Sequence, residues 1–589
     1  MNSDIISLQE ILQKNNFRTV SIQKLESRDP RFFPVHCLNL HHSTKELFSQ
    51  LYPSGFFSHQ IHTLEEFLKG KNVCVSTSTA SGKSLIFYTA TIDHLNKNPL
   101  AKIIALYPMK SLGYEQEKRW KDFLNKSGLS AKVGRIDGNV SVRQRMDILK
   151  NSTVLIMTPD IIHAWLFTNL SERSVIQFLQ CVEMVIVDEV HTYTGVFGSN
   201  AAFLFRRLNH FLDILGKKPQ YITASATIKN PDVLLDKLFG LPFHVLGPEY
   251  DTSPKQEIDI HLLTPPTTKD LLSSITGLMR DISKFTDRKF IAFVDSRKQT
   301  ENIATILTRD NDSWDEEDIE VEKEGGKDQT STTNFNQNEY LISKDLRSHD
   351  ILPYRSGYEE EDRRIIQDRL TSSSVSGIIS TSALELGIDI PHLTLAILIG
   401  VPNSSTSFYQ RIGRIGRTQP GTVFVINNDS IASQTVFRNP DTLLKLPLNE
   451  SALYLENERI QYIHTLCLCR DDGEHYQIQR YSNTISEESF RSNINWPPGF
   501  LELCEKEESG SIPQNLQGMK SNAGDKPNFA FPLRDVDMQY KVVLREAMTE
   551  ENKGSLSFAQ VMREAYPGAV YYYATKPLRV CNVKQIEHK

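Results

Sequence analysis

The segment Asn72-Val-Cys-Val-Ser-Thr-Ser-Thr-Ala-Ser-Gly-Lys-Ser84 runs from an apolar strand through a loop of small residues into Gly82-Lys83-Ser84 and a helical pattern. Small residues let successive backbone N–H groups curl around phosphate oxygens, and the helix start that follows adds partial positive charge. Thr79, Ala80, Ser81 and Gly82 are thus expected to cradle phosphate, with Lys83 at the terminal phosphates and the Ser84 hydroxyl on Mg²⁺. Thr77 takes the first glycine position of the pattern G-x-x-x-x-G-K-[ST].

A second chemical segment is Val185-Ile-Val-Asp188-Glu189-Val-His191, an apolar strand ending in adjacent carboxylates. Neighbouring side chains at a strand end diverge, so Asp188 can hold Mg²⁺ while Glu189 polarises an attacking water. A third is Gln410-Arg-Ile-Gly-Arg414-Ile-Gly-Arg417, where arginines at spacing three are expected on one helix face, both able to steady a departing phosphoryl group.

These segments need a scaffold, and the pattern around them supplies one. Residues 46–255 alternate short apolar runs with helical stretches, as in a parallel α/β sheet covered on both faces. Expected strands are Asn72 to Val75, Lys102 to Leu106, Thr153 to Met157, Met184 to Val187 and Tyr221 to Thr223. After Pro265 to Thr268 the rhythm restarts with Phe290 to Val294, Gly377 to Ser380, Leu393 to Ile399 and Thr422 to Ile426. The expected architecture is α/β: an N-terminal extension (1–45), parallel-sheet domains at 46–255 and 256–430, and a smaller C-terminal α+β accessory region (431–589). That region is expected to carry a helix at Ile460 to Leu468 and a terminal hairpin, with a winged-helix arrangement among the options. The acidic, Thr/Asn/Gln-rich stretch of about 309–339 reads as an insertion looping out of the second domain, or as a partner-binding patch.

At 589 residues the chain exceeds one ordinary core. A 39% hydrophobic and 23% charged composition is that of a soluble globular protein, and no apolar run approaches a membrane span. The first residues lack a basic and apolar leader pattern, so an intracellular location is expected, cytoplasmic if the source is prokaryotic. Seven scattered cysteines form no Cys-x-x-Cys pair, which excludes the common zinc and redox patterns. With a net charge of -6, any nucleic-acid site must be a local groove.

Taken together, the motifs resemble those of superfamily 2 helicases over about residues 50–420, which implies two RecA-like domains, ATP as the nucleotide and a nucleic-acid partner. Asp188-Glu189-Val-His191 is similar to the family's motif II and Ser225-Ala-Thr227 to motif III; His191, Ser225, Thr227 and Gln410 would couple hydrolysis to movement. Gln60 stands where a related branch places its adenine-reading glutamine. Tyr107-Pro-Met-Lys110, Thr158-Pro-Asp160, Ile291-Ala-Phe-Val-Asp-Ser296-Arg297 and Ser380-Thr381 resemble segments that grip a strand's backbone, which implies Lys110, Thr158, Ser296, Arg297 and Thr381 as contacts. For Arg143 and Arg145, an exposed helix face and phosphate contact stay open. Asp389 would face the ATP side, and Arg414 and Arg417 would be arginine fingers, so that ATP closes a cleft and hydrolysis releases it.

Glu189-Val-His-Thr-Tyr-Thr-Gly-Val-Phe-Gly-Ser199 and Ser78 to Leu85 further resemble the Hrq and MrfA branch of DNA-repair helicases and related antiphage-defence helicases. The resemblance implies a DNA helicase or translocase moving 3′ to 5′, with other repair or defence proteins as partners. The cysteine cluster of that branch's zinc-bearing domain does not occur in this sequence, which leaves a fragment, a shortened member or half of a split system as options. An RNA helicase and a nucleotide-responsive binding subunit are the competing expectations.

Overall fold

Runs such as Val154–Met157, apolar and buried at every position, can satisfy their backbone only with a strand on each side and their side chains only with cover on both faces. In the computed structural model such runs build two seven-stranded sheets. The structure describes residues 6–309, 349–372, 374–385, 390–448, 451–481, 493–534, 539–546 and 549–583. The acidic stretch lies almost wholly outside them, as does Asp389.

The chain divides into two units. The first, Arg28–Lys255 with Pro447–Met538, holds an all-parallel sheet. Its strand order is His244–Leu246, Val73–Ser76, Gln220–Ser225, Val182–Val187, Lys102–Leu106, Val154–Met157, Val133–Ile136. The second unit comprises Met1–Ser27, Gln256–Leu446 and Gln539–Lys589. Its order is Arg18–Leu25, Ile258–Thr264, Gly421–Ile426, Leu393–Ile399, Lys289–Phe293, Gly377–Ser380, Ile351–Tyr354, parallel except for the antiparallel Arg18–Leu25 edge.

The expected N-terminal extension is part of the second unit up to Ser27. Arg18–Leu25 pairs with Ile258–Thr264, and Ile11 and Leu12 are buried with Leu263, Ile275 and Leu278. The expected accessory region likewise divides. Helix Glu458–Cys469 is buried from Ile460 through Cys469, and such a helix needs partners on all sides. Ile460, Leu468, Trp496, Phe500 and Leu533 share a core with Phe203 and Phe239 of the first unit. Leu556, Val561, Tyr571 and Tyr573 share one with Ile258, Leu352 and Phe408 of the second. The C-terminal strands Val570–Tyr573 and Lys576–Arg579 pair antiparallel. No helix among the described residues is long and apolar enough to cross a membrane.

Candidate functional site

Every chemical segment of the first unit begins where a parallel strand ends. Ser76 leads into the small-residue loop, Leu106 into Tyr107-Pro108, Met157 into Thr158, Val187 into Asp188 and Ser225 into Ala226. The register pairs Ser76 with Ser225, Val187 with Thr223, and Leu106 with both Val187 and Met157, so these ends form one row. Ligands of parallel α/β sheets bind at this edge because the loops leaving it diverge and leave a crevice.

The loop from Thr77 to Lys83 has the shape of an anion cradle. Ala80 (φ 60°) and Gly82 (φ 80°) take the left-handed region, while Thr77 does not, so glycine's freedom is not needed at position 77. There the Thr77 hydroxyl instead shares a hydrogen bond with Ser81 Oγ at 2.8 Å, both side chains being buried. Gly82 is doubly constrained, since a Cβ would also lie 2.8 Å from Gln60 Nε2. The Lys83 ammonium folds back on the carbonyls of Thr77 (3.1 Å) and Ser78 (2.8 Å), neutral acceptors that a phosphate would outcompete. Ser84 opens the helix Ser84–Lys97.

Gln60 is brought to the loop, buried at the start of helix Ser58–Leu68. Its Nε2 donates to the Gly82 carbonyl (2.9 Å) and its Oε1 accepts from Phe57 N–H (2.9 Å). Behind the loop lies a network that the motifs did not reveal. His59 Nε2 meets the Ser81 carbonyl at 3.0 Å, and Ser78 Oγ donates to Asp251, which also pairs with Arg28 at 3.1 Å. Burial pushes His59 down to about 4. Burial opposes ionisation of Asp251, yet hydrogen bonds from Ser253 and Ser78 hold it at about 2. The signal lay in distance along the chain: residues 59, 78 and 251 meet only once the fold exists.

Asp188 is buried and accepts from Glu189 N–H at 2.9 Å. Burial, then the Glu189 charge, pushes its carboxyl pKa upward, so a bound divalent cation is the partner that would keep it ionised. Glu189 itself adopts φ 51°, ψ 47°, a conformation uncommon outside glycine that turns the chain sharply at the strand end. His191 is buried and its pKa is lowered by burial. Its Nδ1 accepts from Ala226 N–H at 3.1 Å; the same atom lies 3.5 Å from Glu189 Oε2. A neutral ring whose Nδ1 is an acceptor cannot also donate to that carboxylate, so the Ala226 bond defines the tautomer and the approach to Glu189 is no ion pair. The Ala226 carbonyl accepts from Ser76 Oγ (3.2 Å) and Ser225 Oγ (2.7 Å), and Thr227 follows, half-buried. One residue, Ala226, thus ties the phosphate-loop strand to the carboxylate turn through its N–H and its carbonyl.

Lys110 reaches Asn139 Oδ1 at 3.4 Å, and Thr158, buried, opens the turn Pro159–Ile161. Arg145 instead turns inward, donating to Val140 O at 2.9 Å and lying 5.9 Å over the Trp165 ring. In the second unit, Ser296 caps helix Arg297–Arg309 by accepting from Gln299 N–H at 3.1 Å. Arg297 donates to Ser356 Oγ at 2.9 Å. Thr381 follows strand Gly377–Ser380. Gln410 is buried in helix Ser405–Ile412. That helix ends at Gly413, so Arg414 and Arg417 do not share a helix face as their spacing predicted. The glycines explain it: Gly413 caps the helix and Gly416 takes φ 64°. Arg414 donates to the Glu385 carbonyl at 2.5 Å and Arg417 to the Gly413 carbonyl at 3.1 Å.

Two parallel-sheet domains, a small-residue phosphate loop, a strand-end carboxylate pair and a Ser-Ala-Thr segment define the class of the superfamily 2 helicases. Residues 57–234 match the DEAD/DEAH box helicase family, and residues 328–419 match the helicase conserved C-terminal domain. Within the class the chain's likeness runs to the Hrq and MrfA branch. It is 30% identical over 417 residues to the ATP-dependent helicase HRQ1 of Saccharomyces cerevisiae, covering 69% of this chain and 36% of that protein. It is 26% identical to the ATP-dependent helicase YprA of Bacillus subtilis, covering 78% of this chain and 58% of that protein. The fold superposes on helicase MrfA bound to DNA and AMPPNP with a TM-score of 0.74 at 22% identity, over 97% of this chain and 74% of that one. The chain thus spans about a third to six tenths of the length of these two curated relatives.

Proposed function

We propose that the chain is an ATP-dependent DNA helicase or translocase, moving 3′ to 5′ on a bound strand and serving DNA repair or antiphage defence. The observation that carries this reading is the row of strand ends, which sets the phosphate loop, the carboxylates and two backbone-gripping segments along one edge of one sheet. The curated relatives are named as ATP-dependent helicases, and MrfA was solved with DNA and AMPPNP.

In this reading the N–H groups of Thr79 to Gly82 bind phosphate oxygens, and Lys83 leaves the Thr77 and Ser78 carbonyls for the terminal phosphates. Ser84 and Asp188 would hold Mg²⁺, which supplies charge neutralisation at the phosphates when bound. Glu189 takes the proton of the attacking water. Arg414 and Arg417 steady the charge on the departing phosphoryl group, and Gln60 reads adenine. Lys110, Thr158, Ser296, Arg297 and Thr381 contact the strand's backbone without reading its sequence. His191, Ser225, Thr227 and Gln410 relay the nucleotide state to those contacts.

ATP hydrolysis measured with single-stranded DNA, single-stranded RNA and duplexes bearing 3′ or 5′ tails tests this. DNA should stimulate turnover, and Glu189→Gln should lower it by about 10²- to 10⁴-fold, with Lys83→Ala equally inactive. Absence of stimulation by any nucleic acid, or full turnover in both variants, overturns the reading; preference for RNA selects the RNA helicase.

A further inference from the structure

The stretch that leads to Arg534 is fastened to the rest of the first unit by a series of hydrogen bonds. Asn528 Nδ2 donates to the His163 carbonyl and to Glu474 Oε1, both at 2.8 Å. The Phe531 carbonyl meets His163 Nε2 at 3.0 Å, and Asn200 donates to the Leu533 carbonyl at 3.0 Å. His163 lies in a single π-helical turn, Ile162–Leu166, which follows the short turn Pro159–Ile161 directly. Wide turns of this kind are rare and concentrate at functional places. The backbone that delivers Arg534 is therefore held in position before the side chain begins.

The Arg534 guanidinium grips Asp160 in a two-pronged pair, Nε at 3.0 Å from Oδ1 and Nη2 at 3.0 Å from Oδ2. Its Nη2 also donates to the Pro108 carbonyl. The group lies 4.1 Å over the Phe197 ring, which stacks on Tyr193 at 5.0 Å. One side chain from late in the sequence therefore touches both first-unit segments assigned to strand binding and the outer ring of an aromatic pair just beyond Glu189 and His191.

We propose that Arg534 is a positioning residue for nucleic-acid binding: it holds the Tyr107–Lys110 and Thr158–Asp160 segments against each other and neutralises Asp160. This rests on the reading of the chain as a nucleic-acid-tracking ATPase. An uncompensated carboxylate in a segment that meets phosphates would repel them. The two side chains are 42% and 36% exposed, so the pair adds little to stability, and its value lies in orientation. Only a guanidinium combines the fork with a flat face for Phe197; lysine supplies charge alone.

The test is the affinity of the full chain for a fluorescein-labelled single-stranded DNA oligonucleotide, read by anisotropy, for wild type, Arg534→Gln, Arg534→Lys and the double variant Arg534→Gln with Asp160→Asn. Arg534→Gln should weaken binding about tenfold, or 1.4 kcal/mol. Arg534→Lys should fall between, and the double variant, relieved of the bare Asp160 charge but still without the fork, should bind more tightly than Arg534→Gln and less tightly than wild type. Unchanged affinity in Arg534→Gln overturns the proposal. So does a double variant as weak as the single one, which would mark a general loss of structure or a direct phosphate contact. A wild type that binds no oligonucleotide removes the tracking ATPase reading itself, an outcome distinct from the other two.

Discussion

His191 Nδ1 accepts the main-chain N–H of Ala226 at 3.1 Å, joining the turn that carries Glu189 to the Ser225-Ala226-Thr227 segment. His191→Ala would strand a buried N–H, at a cost of about 1–3 kcal/mol, and would leave the carboxylate turn free of its neighbour. The expected result is a fall of about tenfold, or 1.4 kcal/mol, in the ratio of DNA-stimulated to unstimulated ATP turnover. Affinity for a fluorescent ATP analogue should stay close to wild type. An unchanged ratio would show that the bond carries no signal.

Gly82 combines φ 80° with the close approach of Gln60 Nε2. Gly82→Ala imposes a left-handed alanine, worth about 1–3 kcal/mol, and pushes on the glutamine that anchors the Gly82 carbonyl. Nucleotide affinity, titrated by fluorescence, should drop by at least about tenfold. Ala80, already left-handed, should gain from glycine instead: Ala80→Gly should bind nucleotide no worse than wild type.

Arg207 is wholly buried, ion-paired with Glu474 and hydrogen-bonded to His464 Nδ1 (2.9 Å) and His163 Nδ1 (3.2 Å). Removing one member of such a pair leaves a buried charge, at a cost of about 3–5 kcal/mol. Arg207→Met should therefore lower the urea midpoint sharply, while Arg207→Met with Glu474→Leu should regain much of the loss. Equal loss in both variants would mean that the histidine contacts, and not the ion pair, hold Glu458–Cys469 in place.

Burial and the Arg207 charge hold His163 down at about 3, and burial with His475 holds His210 at about 3. The native state keeps these rings neutral, whereas the unfolded chain protonates them near the ordinary 6.5. Their contribution is thus fully present above about pH 6.5 and is lost as the pH falls towards 3, at about 1.4 kcal/mol per pH unit for each ring. Urea midpoints should fall steadily from pH 7 to pH 5, and His210→Gln should flatten that slope by one ring's share. A midpoint independent of pH over this range would contradict the burial of both histidines.

The strands that lead into the candidate segments are legible because they contain unbroken apolar runs that end at small or charged residues, as Val154–Met157 before Thr158 and Met184–Val187 before Asp188 do. Strands that escaped have mixed patterns. Ile351–Tyr354 contains Pro353, tolerated there because the strand lies at the sheet edge. Arg18–Leu25 is an antiparallel edge on which polarity does not follow burial: Val20 and Ile22 are exposed, while Ser21 and Gln23 are half-buried. For Arg414 and Arg417, a spacing of three implies a shared face only while the helix continues, and the helix ends at Ile412 with Gly413 as its cap. His59, Asp251 and Arg534 carry no local motif at all, and their roles arise from contacts across 22 to 426 positions of sequence.

The discontinuous make-up of both units bears on how the chain emerges during synthesis. When residue 446 leaves the ribosome, the helix Gly195–Ile214 still lacks Phe500, which packs on Phe203, and His464, which stacks on it. The second unit waits longer, since Tyr571 and Tyr573 belong to its core. Sticky surface therefore stays open for much of translation, a demand on holding chaperones that two consecutive, self-contained domains would not make.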